Sequence, residues 1–401
     1  MKFIHTSDWQ IGMPFLFLKE KSRHAMDSAR LDAIKAIGKI AKDDSEGIDF
    51  VLVCGDVVDS PRVSESILRQ MFREIDAIKK PVFLLAGNHE WNGTEYIFEH
   101  EHFKKMLPAN VTILKEGINA TGVIGVEIVA APLKGKHANE DVLKSVLEQL
   151  KPSDNVRIVA GHGSLDTFIN VQSDDAKLNF AAIEGSISNG LVSYVGLGDR
   201  HSATSVDKSG KLLAFKNVKE GGVLPVYYSG SHESTDYDEL DSGNILIVEV
   251  DSNRHVSVEK RQVGKWKLIE ASTLQNPTRL RSKADIDVLA DYIHGLEDPR
   301  ETAVKIYLDS ELYLEDDMYR KQLFEQWHEE LLAGFKVSEN ANMPEPRIKE
   351  DPLEFVIPQN IKGFVRETYQ QLRDEAVEDA PGAEVAYEAF SILTSLLGDK
   401  K

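Results

Sequence analysis

Carboxylate, amide and imidazole side chains follow five short apolar segments of the chain, each where the segment ends. In order, they are Asp8 with Gln10, Asp56 with Asp59, Asn88 with His89, His162, and Asp199 with His201. Such groups bind hard or borderline divalent metal ions. A single polar residue after a strand is typical of a turn or a helix cap, but five in succession indicate one shared site. The pattern therefore predicts a metal centre.

Continuous apolar runs of strand length precede these residues, at positions 3–6, 50–53, 82–85, 158–160 and 194–197. Runs of this kind are typical of strands that are covered on both faces. Between them, apolar residues recur at helical spacing, as at Met26, Ala29, Ala33 and Ile37. We therefore predict a layered α/β core, in which ligands gather at the carboxyl ends of the strands.

From about Val223 the pattern changes to strands and turns, which predicts an antiparallel sheet that completes a first domain, residues 1–276. A polar and basic linker follows at 277–283. The next segment, 284–340, alternates helical and strand patterns, which predicts a small α+β module.

The C-terminal part of the chain is expected to be extended and then helical. Residues 341–358 contain four prolines, which favours an extended segment. Two amphipathic helices are predicted within a tail at 355–401. The first has an apolar face formed by Ile361, Phe364, Val365 and Leu372. That face needs a covering surface, either on a partner or on the same chain.

The net charge of −19 at pH 7 argues against a nucleic-acid partner, since such proteins usually carry a basic face. Most of the acidic excess, however, lies in residues 284–401, and residues 251–283 hold eight basic side chains against three acidic ones. A solvated surface and a phosphate-contacting strip both fit that basic segment.

The single cysteine, Cys54, lies in an apolar run, which excludes an intramolecular disulfide and favours a reducing compartment. The N-terminal residues do not have the pattern of a signal peptide, and no apolar stretch approaches the ~20 residues of a membrane span. We therefore expect a cytoplasmic protein with no membrane partner.

The residues around the five segment ends resemble, in order, the sequence blocks of the calcineurin-like metallophosphoesterase superfamily. The blocks are SDWQ at 7–10, GDVVD at 55–59, GNHE at 87–90, GHG at 161–163 and GDRH at 198–201. The resemblance implies phosphoester hydrolysis in a layered αββα sandwich, here followed by a small α+β cap module and a helical C-terminal tail.

Within that superfamily, the chain resembles the nuclease subunit of SbcCD complexes, which act in double-strand-break repair. The resemblance rests on the opening segment 3–8, on YSGS at 228–231 followed by Glu233, and on the order of the later modules. It implies a DNA exonuclease or endonuclease that docks an SbcC-like SMC-family ATPase through the helical tail, and it leaves a homodimer open. Two alternatives remain: a phosphodiesterase acting on a small nucleotide or lipid headgroup, and a scaffold with a vestigial metal centre.

The resemblance also implies roles for individual residues. One metal ion would be held by Asp8, Gln10, Asp56 and His201, and a second by Asp56, Asn88, His162 and Asp199. Asp56 would bridge the two ions. His89 would protonate the leaving oxygen or stabilise charge on the phosphoryl group, and Glu90 would orient the His89 ring.

The chain departs from the family at two of these ligand positions, because Gln10 and Asp199 stand where histidines are usual. Both residues can still bind a metal through oxygen. An oxygen-rich, more anionic ligand set favours Mn²⁺, with Mg²⁺ as a second candidate, over zinc.

Overall fold

The structure is a computed structural model that describes residues 1–137, 140–168, 176–271, 279–339, 346, 357, 361–377 and 382–398. The chain divides into two compact units, Met1–Lys267 and Leu268–Lys401. The expected end of the first domain at residue 276 lies outside the described residues, as does the first part of the predicted linker. The predicted extended segment 341–358 also lies outside them, apart from Pro346 and Ile357.

In chain order, the helices of the described residues are α1 (Glu20–Lys42), α2 (Glu65–Asp76), α3 (Glu101–Met106), α4 (Val142–Glu148), α5 (Phe180–Ser188), α6 (Lys283–His294), α7 (Leu314–Gln326), α8 (Phe364–Val377) and α9 (Ala383–Gly398). The strands are β1 (Lys2–Thr6), β2 (Phe50–Val53), β3 (Val82–Leu84), β4 (Trp91–Asn92), β5 (Glu95–Tyr96), β6 (Val111–Ile113), β7 (Gly117–Ala120), β8 (Val126–Ala130), β9 (Val156–His162), β10 (Ser164–Leu165), β11 (Lys177–Leu178), β12 (Tyr194–Gly198), β13 (Thr204–Asp207), β14 (Leu212–Ala214), β15 (Val223–Tyr228), β16 (Asn244–Val250), β17 (Val256–Gln262), β18 (Lys267–Glu270), β19 (Arg279–Leu280), β20 (Thr302–Ser310) and β21 (Gly334–Glu339).

Two sheets face each other in the first unit. One has the strand order β17-β16-β1-β2-β3-β6, and the other has the order β14-β13-β15-β12-β9-β8-β7. Strands β1, β2 and β3 run parallel to one another, as do β8, β9 and β12. The carboxyl ends of each parallel set therefore meet at one edge of its sheet.

Side chains alternate along the central strands, so each sheet packs on two layers. From β2, Val51 and Val53 pack in a cluster with Ile34 of α1 and Leu68 of α2. Phe50 of the same strand packs in the space between the sheets. On the outer face of the second sheet, strand residues share a cluster with α4 and α5. The layers are therefore helix, sheet, sheet and helix, and the predicted α/β sandwich is confirmed.

The segment after Val223 contains the predicted antiparallel pairing, between β16 and β17, but its strands do not form one sheet. Strand β15 joins the second sheet parallel to β12, whereas β16 joins the first sheet antiparallel to β1. Residues 229–243 therefore cross from one sheet to the other. We refer to them below as the crossover loop.

The second unit contains the strands β18, β19, β20 and β21, with β19 and β21 both parallel to β20. Its core is formed by α6, α7 and these strands, including Ile286, Ile306 and Trp327. Helices α8 and α9 pack through Tyr369 and Phe390 against Leu314 of α7. No helix among the described residues is long and apolar enough to cross a lipid bilayer.

Candidate dinuclear metal centre

The predicted ligands come together where the carboxyl ends of the two parallel strand sets face each other. Ligand atoms of Asp8, Asp56 and His162 all lie within 4.8 Å of one another, and all three side chains are buried. Asp8 follows β1, Asp56 follows β2 and His162 ends β9. The two sheets thus contribute jointly to one cluster.

The backbone at this cluster has an unusual conformation. Asp8, Gln10, Asp56 and Asp199 have positive φ angles of 53°, 42°, 54° and 95°. Residues other than glycine rarely adopt this region, because the Cβ atom is then crowded by the backbone. Strained backbone of this kind concentrates at functional sites, and here it coincides with four predicted ligands.

Asp56 lies at the centre of the cluster. Its Oδ1 accepts a hydrogen bond from the His89 backbone N–H at 3.0 Å, and its Oδ2 is 3.4 Å from His162 Nε2. The same Nε2 is 2.9 Å from Asn88 Oδ1. These three atoms are close enough to bind one cation together once the His162 ring has lost its Nε2 proton.

Asp199 lies beside Asp8. The backbone N–H of Asp199 donates to Asp8 Oδ1 at 3.0 Å. Its own carboxylate accepts from Ser164 Oγ at 2.8 Å and is 4.0 Å from His162 Nε2. This places a third carboxylate at the cluster.

His201 and Gln10 form the other end of the cluster. Gln10 Nε2 is 3.1 Å from His201 Nε2, so the amide donates to the imidazole nitrogen. A half-turn of the amide would present its oxygen to the same point, because the amide offers one acceptor and one donor group. On the far side of the ring, Nδ1 is 2.8 Å from Glu239 Oε1 and 2.6 Å from Thr235 Oγ1.

His89 lies at the edge of the cluster. Its Nδ1–H donates to the backbone carbonyl of Asp59 at 2.7 Å, and its Nε2 is 3.9 Å from Asp56 Oδ2. The ring is half-buried, and its Nε2 lies on the side of the Asp56 carboxylate.

Glu90 does not orient the His89 ring as the sequence predicts. Its buried carboxylate accepts hydrogen bonds from the backbone N–H groups of Asp56, Val58 and Gly87, at 3.0, 3.1 and 2.7 Å. Three backbone donors satisfy the carboxylate, and it therefore braces the loop that carries Asp56. The carbonyl of Asp59 holds the ring instead.

Three carboxyl groups lie close together in the cluster, and their pKa values show the effect of burial and of the nearby histidines. Burial raises the pKa of Asp8 and of Asp199 above the usual carboxyl range. Burial also acts to raise the pKa of Asp56, but His162 and His89 outweigh it and lower that pKa to about 2.

The pKa values of the two histidines, His162 and His201, are raised by neighbouring carboxylates. Burial acts to lower the pKa of both rings, yet Asp56 and the neighbouring carboxylates raise the pKa of His162 well above its usual range. Glu239 and Asp8 likewise raise the pKa of His201 to about 9. The negative charge of the cluster thus favours protons on the two rings, and divalent cations can replace those protons. The donor set of oxygens and imidazole nitrogens fits a pair of such ions.

A cavity of about 630 Å³ opens beside His201. Its lining includes Asp199, Asp236, Asp238, Glu239 and one cation, Arg200. The cavity opens onto Gln10, Asp199 and His201 of the ligand cluster, and its charged lining has four carboxylates and one guanidinium group.

Residues 1–195 match the family model of calcineurin-like phosphoesterases. The matched segment, just under half of the chain, is similar to calcineurin-like phosphoesterases. The chain is therefore a metal-dependent phosphoester hydrolase, and the Asp8, Asp56 and His162 cluster is its candidate metal site.

Solved structures resemble the chain only distantly. Purple acid phosphatase PPD1 from yellow lupin (Lupinus luteus) seeds has 14% sequence identity and a TM-score of 0.40 over 66% of this chain and 52% of its own. A second crystal structure has 14% identity and a TM-score of 0.36 over 66% of this chain and 99% of its own. A comparison with curated proteins found no match.

Three residues of the phosphoesterase site were missed by sequence reasoning: Ser164, Thr235 and Glu239. Ser164 lies two residues after His162, which is a usable signal for a side chain at the same strand end. Thr235 and Glu239 lie in the crossover loop, more than thirty residues after His201. Their positions depend on where that loop crosses between the sheets, which the sequence pattern does not show.

Proposed function

We propose that this phosphoester hydrolase is a DNA nuclease of an SbcCD-like repair complex that cleaves phosphodiester bonds with two divalent ions, Mn²⁺ or Mg²⁺. The observation that carries the proposal is the convergence of all five sequence blocks on Asp56, with His89 beside it. The SbcCD-like features of the sequence support DNA as the substrate.

The two cation sites share Asp56. We call them the His201 site, with Asp8, Gln10, Asp56 and His201, and the His162 site, with Asp56, Asn88, His162 and Asp199. Two divalent ions bound there would activate a water molecule and stabilise charge on the phosphoryl oxygens. The donors are mostly oxygens, which supports Mn²⁺ or Mg²⁺.

His89 is suited to be the general acid. Burial acts to lower the pKa of His89, but Asp56 and the Asp59 carbonyl outweigh it and raise that pKa above its usual value. The protonated form of the ring is therefore stabilised relative to that of a free histidine. Because Nδ1–H is already donated to the Asp59 carbonyl, Nε2–H is the proton available to the leaving oxygen.

The C-terminal helices support a protein partner. Three residues of the predicted apolar face, Ile361, Val365 and Leu372, pack within the second unit. Phe364 of the same face is 79% exposed, and Val377, Val385 and Ile392 are also exposed on α8 and α9. We propose that these side chains dock an SbcC-like SMC-family ATPase, as an apolar helix face does in a groove.

A small phosphodiester is the second candidate substrate, because the surroundings of the site are poorly suited to a polyanion. The cavity beside His201 has acidic walls. In the basic segment 251–283, Lys260 is paired with Asp241 and Arg261 with Glu46. Arg281 is paired with Asp309. Paired cations attract phosphates less strongly than free ones.

The test is hydrolysis by the full chain with Mn²⁺, using labelled linear DNA of graded lengths and a bis(p-nitrophenyl) phosphate control. A nuclease cleaves the DNA in a reaction that EDTA stops: the rate per molecule rises with length for an endonuclease and follows the number of ends for an exonuclease. Rapid cleavage of the small diester without any DNA cleavage, with or without the ATPase, would refute the DNA proposal and favour the second candidate.

A further inference from the structure

The His201 ring is held from behind by two residues of the crossover loop. We propose that Glu239, assisted by Thr235, is a positioning residue that fixes His201 as a metal ligand and sets the affinity of the His201 site. This inference rests on the proposed dinuclear centre, but it does not depend on DNA as the substrate.

Both carboxylate oxygens of Glu239 accept hydrogen bonds from His201 and Thr235. Its Oε1 accepts from His201 Nδ1 at 2.8 Å, and its Oε2 accepts from the Thr235 backbone N–H at 2.9 Å. The Thr235 hydroxyl donates to Glu239 Oε1 and touches His201 Nδ1 at 2.6 Å. The Glu239 side chain is only 5% exposed. A buried carboxylate with three donors has a single orientation available to it.

These contacts determine which nitrogen of His201 faces the site. A carboxylate acceptor requires a proton on Nδ1, so Nε2 is the ring nitrogen left for a metal ion. That atom is the one 3.1 Å from Gln10 Nε2. The ring is thus held in the form that can bind a cation with Gln10 and Asp8.

The two imidazoles of the centre are supported differently. His162 donates Nδ1–H to a neutral backbone carbonyl, that of Cys54, and its side chain is fully buried. His201 donates to a carboxylate and is 26% exposed. A carboxylate partner makes the ring a stronger donor to a metal and restricts its rotation. The more exposed imidazole, His201, is therefore the one that is held by a carboxylate.

The crossover loop is anchored where it presents Glu239. The Leu240 N–H donates to Ser202 Oγ at 3.1 Å, and the Ala203 N–H donates to the Asp241 carbonyl at 2.8 Å. These bonds tie both residues after Glu239 to the segment that follows His201. Glu239 and His201 consequently keep their relative positions without help from a ligand.

The experiment compares Glu239→Gln with Asp238→Asn. Asp238 lies on the same loop and lines the same cavity, but it is exposed, so its variant removes an equal charge without touching the ring. Mn²⁺ binding to the full chain is measured by calorimetry. We expect Glu239→Gln to weaken one of two binding events by about 10- to 100-fold and to leave the other unchanged. Asp238→Asn should leave both unchanged.

A second readout follows the ring itself. Nitrogen NMR of the protein loaded with a diamagnetic divalent ion should show His201 with Nδ1 protonated and Nε2 bound to the metal in the wild type, and a loss of that single state in Glu239→Gln. Should the Gln variant fold poorly, Thr235→Val keeps the size of the side chain and should produce a smaller loss at the same site.

Three results would overturn the proposal: equal losses in the Glu239 and Asp238 variants, equal weakening of both binding events, or unchanged binding in Glu239→Gln. The first indicates a general charge effect and the second a structural one. A protein that binds two ions and cuts no DNA would instead refute the nuclease function while leaving the role of Glu239 intact.

Discussion

His162 donates its Nδ1–H to the backbone carbonyl of Cys54 at 2.8 Å, which leaves Nε2 as the nitrogen that faces Asp56. The ring fits because its neighbours are glycines. A Cβ at Gly55 or Gly198 would collide with the ring, and a Cβ at Gly87 would collide with the Asp56 carboxylate. The glycines of the sequence blocks therefore allow close approach of backbone to ligand.

Asp56→Ala is expected to abolish both activity and the binding of two ions. The shared carboxylate balances the charge of both cations, and its loss removes several kcal/mol of transition-state stabilisation, a rate loss of about a thousandfold or more. Metal analysis after dialysis should find fewer than two ions per chain, whereas Asp44→Ala, an exposed control, should retain both. Two ions and near-normal turnover in the Asp56 variant would contradict the site assignment.

His89→Gln should separate proton transfer from metal binding. We expect kcat on DNA to fall by about 10²- to 10⁴-fold, with metal content unchanged, because His89 donates to the Asp59 carbonyl and not to a ligand side chain. A p-nitrophenyl ester has a leaving group that needs no proton, so its hydrolysis should be affected much less. Equal losses on both substrates would rule out the general-acid role.

The ligand set could be predicted because strand periodicity locates the strand ends, and parallel strands bring those ends to one edge. Asp8, Asp56 and His162 were found in that way. Glu239 was not found, because its distance from His201 depends on the path of the crossover loop between two sheets. Glu90 was assigned to the wrong partner because sequence adjacency to His89 says nothing about side-chain direction after a tight turn.

Phe364→Ser tests the partner surface without disturbing the fold. Phe364 is exposed, whereas Tyr369 and Phe390 of the same helix pair are buried against Leu314. Removing the chain after residue 355 would uncover that core, so a point substitution is the cleaner test. We expect the variant to lose affinity for an SbcC-like ATPase while its Tm stays unchanged. Val288→Ser, exposed on α6, is the control. Full affinity in the Phe364 variant would remove this side chain from the interface.

Acid should destabilise the first unit through His5. Burial lowers the pKa of His5 to about 3, whereas an unfolded chain has a histidine pKa of about 6.5. Between these values the unfolded state binds the extra proton, so stability falls as the pH drops below about 6.5.

The expected loss from His5 between pH 7 and pH 5 is about 2 kcal/mol. His5→Gln, which can still bond the Tyr194 hydroxyl that His5 Nδ1 contacts at 2.8 Å, should lack that part of the loss. Denaturant unfolding of both proteins at the two pH values measures the difference. All other titrating groups are the same in the two proteins, so their contributions to the pH dependence cancel in the comparison. Parallel stability profiles would show that His5 does not titrate in this way.

The two unusual ligands give a prediction about metal preference. Gln10 and Asp199 both have positive φ angles and both lie at the cluster, Gln10 beside His201 and Asp199 beside Asp8. Each has a side-chain oxygen able to bind a metal where the sequence resemblance implies an imidazole. Asp199→His exchanges a charged oxygen donor for a softer nitrogen, which should favour zinc and cobalt over manganese.

Gln10→His should act in the same direction but more weakly, because one neutral donor replaces another. The double variant should therefore show the largest shift in rates measured with Mn²⁺, Mg²⁺, Co²⁺ and Zn²⁺. Ser164→Ala, which removes the hydroxyl bonded to Asp199 at 2.8 Å without changing a donor type, is the control and should keep the wild-type order of metals. If the double variant also kept that order, Gln10 and Asp199 would lie outside the coordination sphere. Asp8, Asp56, Asn88, His162 and His201 would then be the whole ligand set, which is better suited to a single ion.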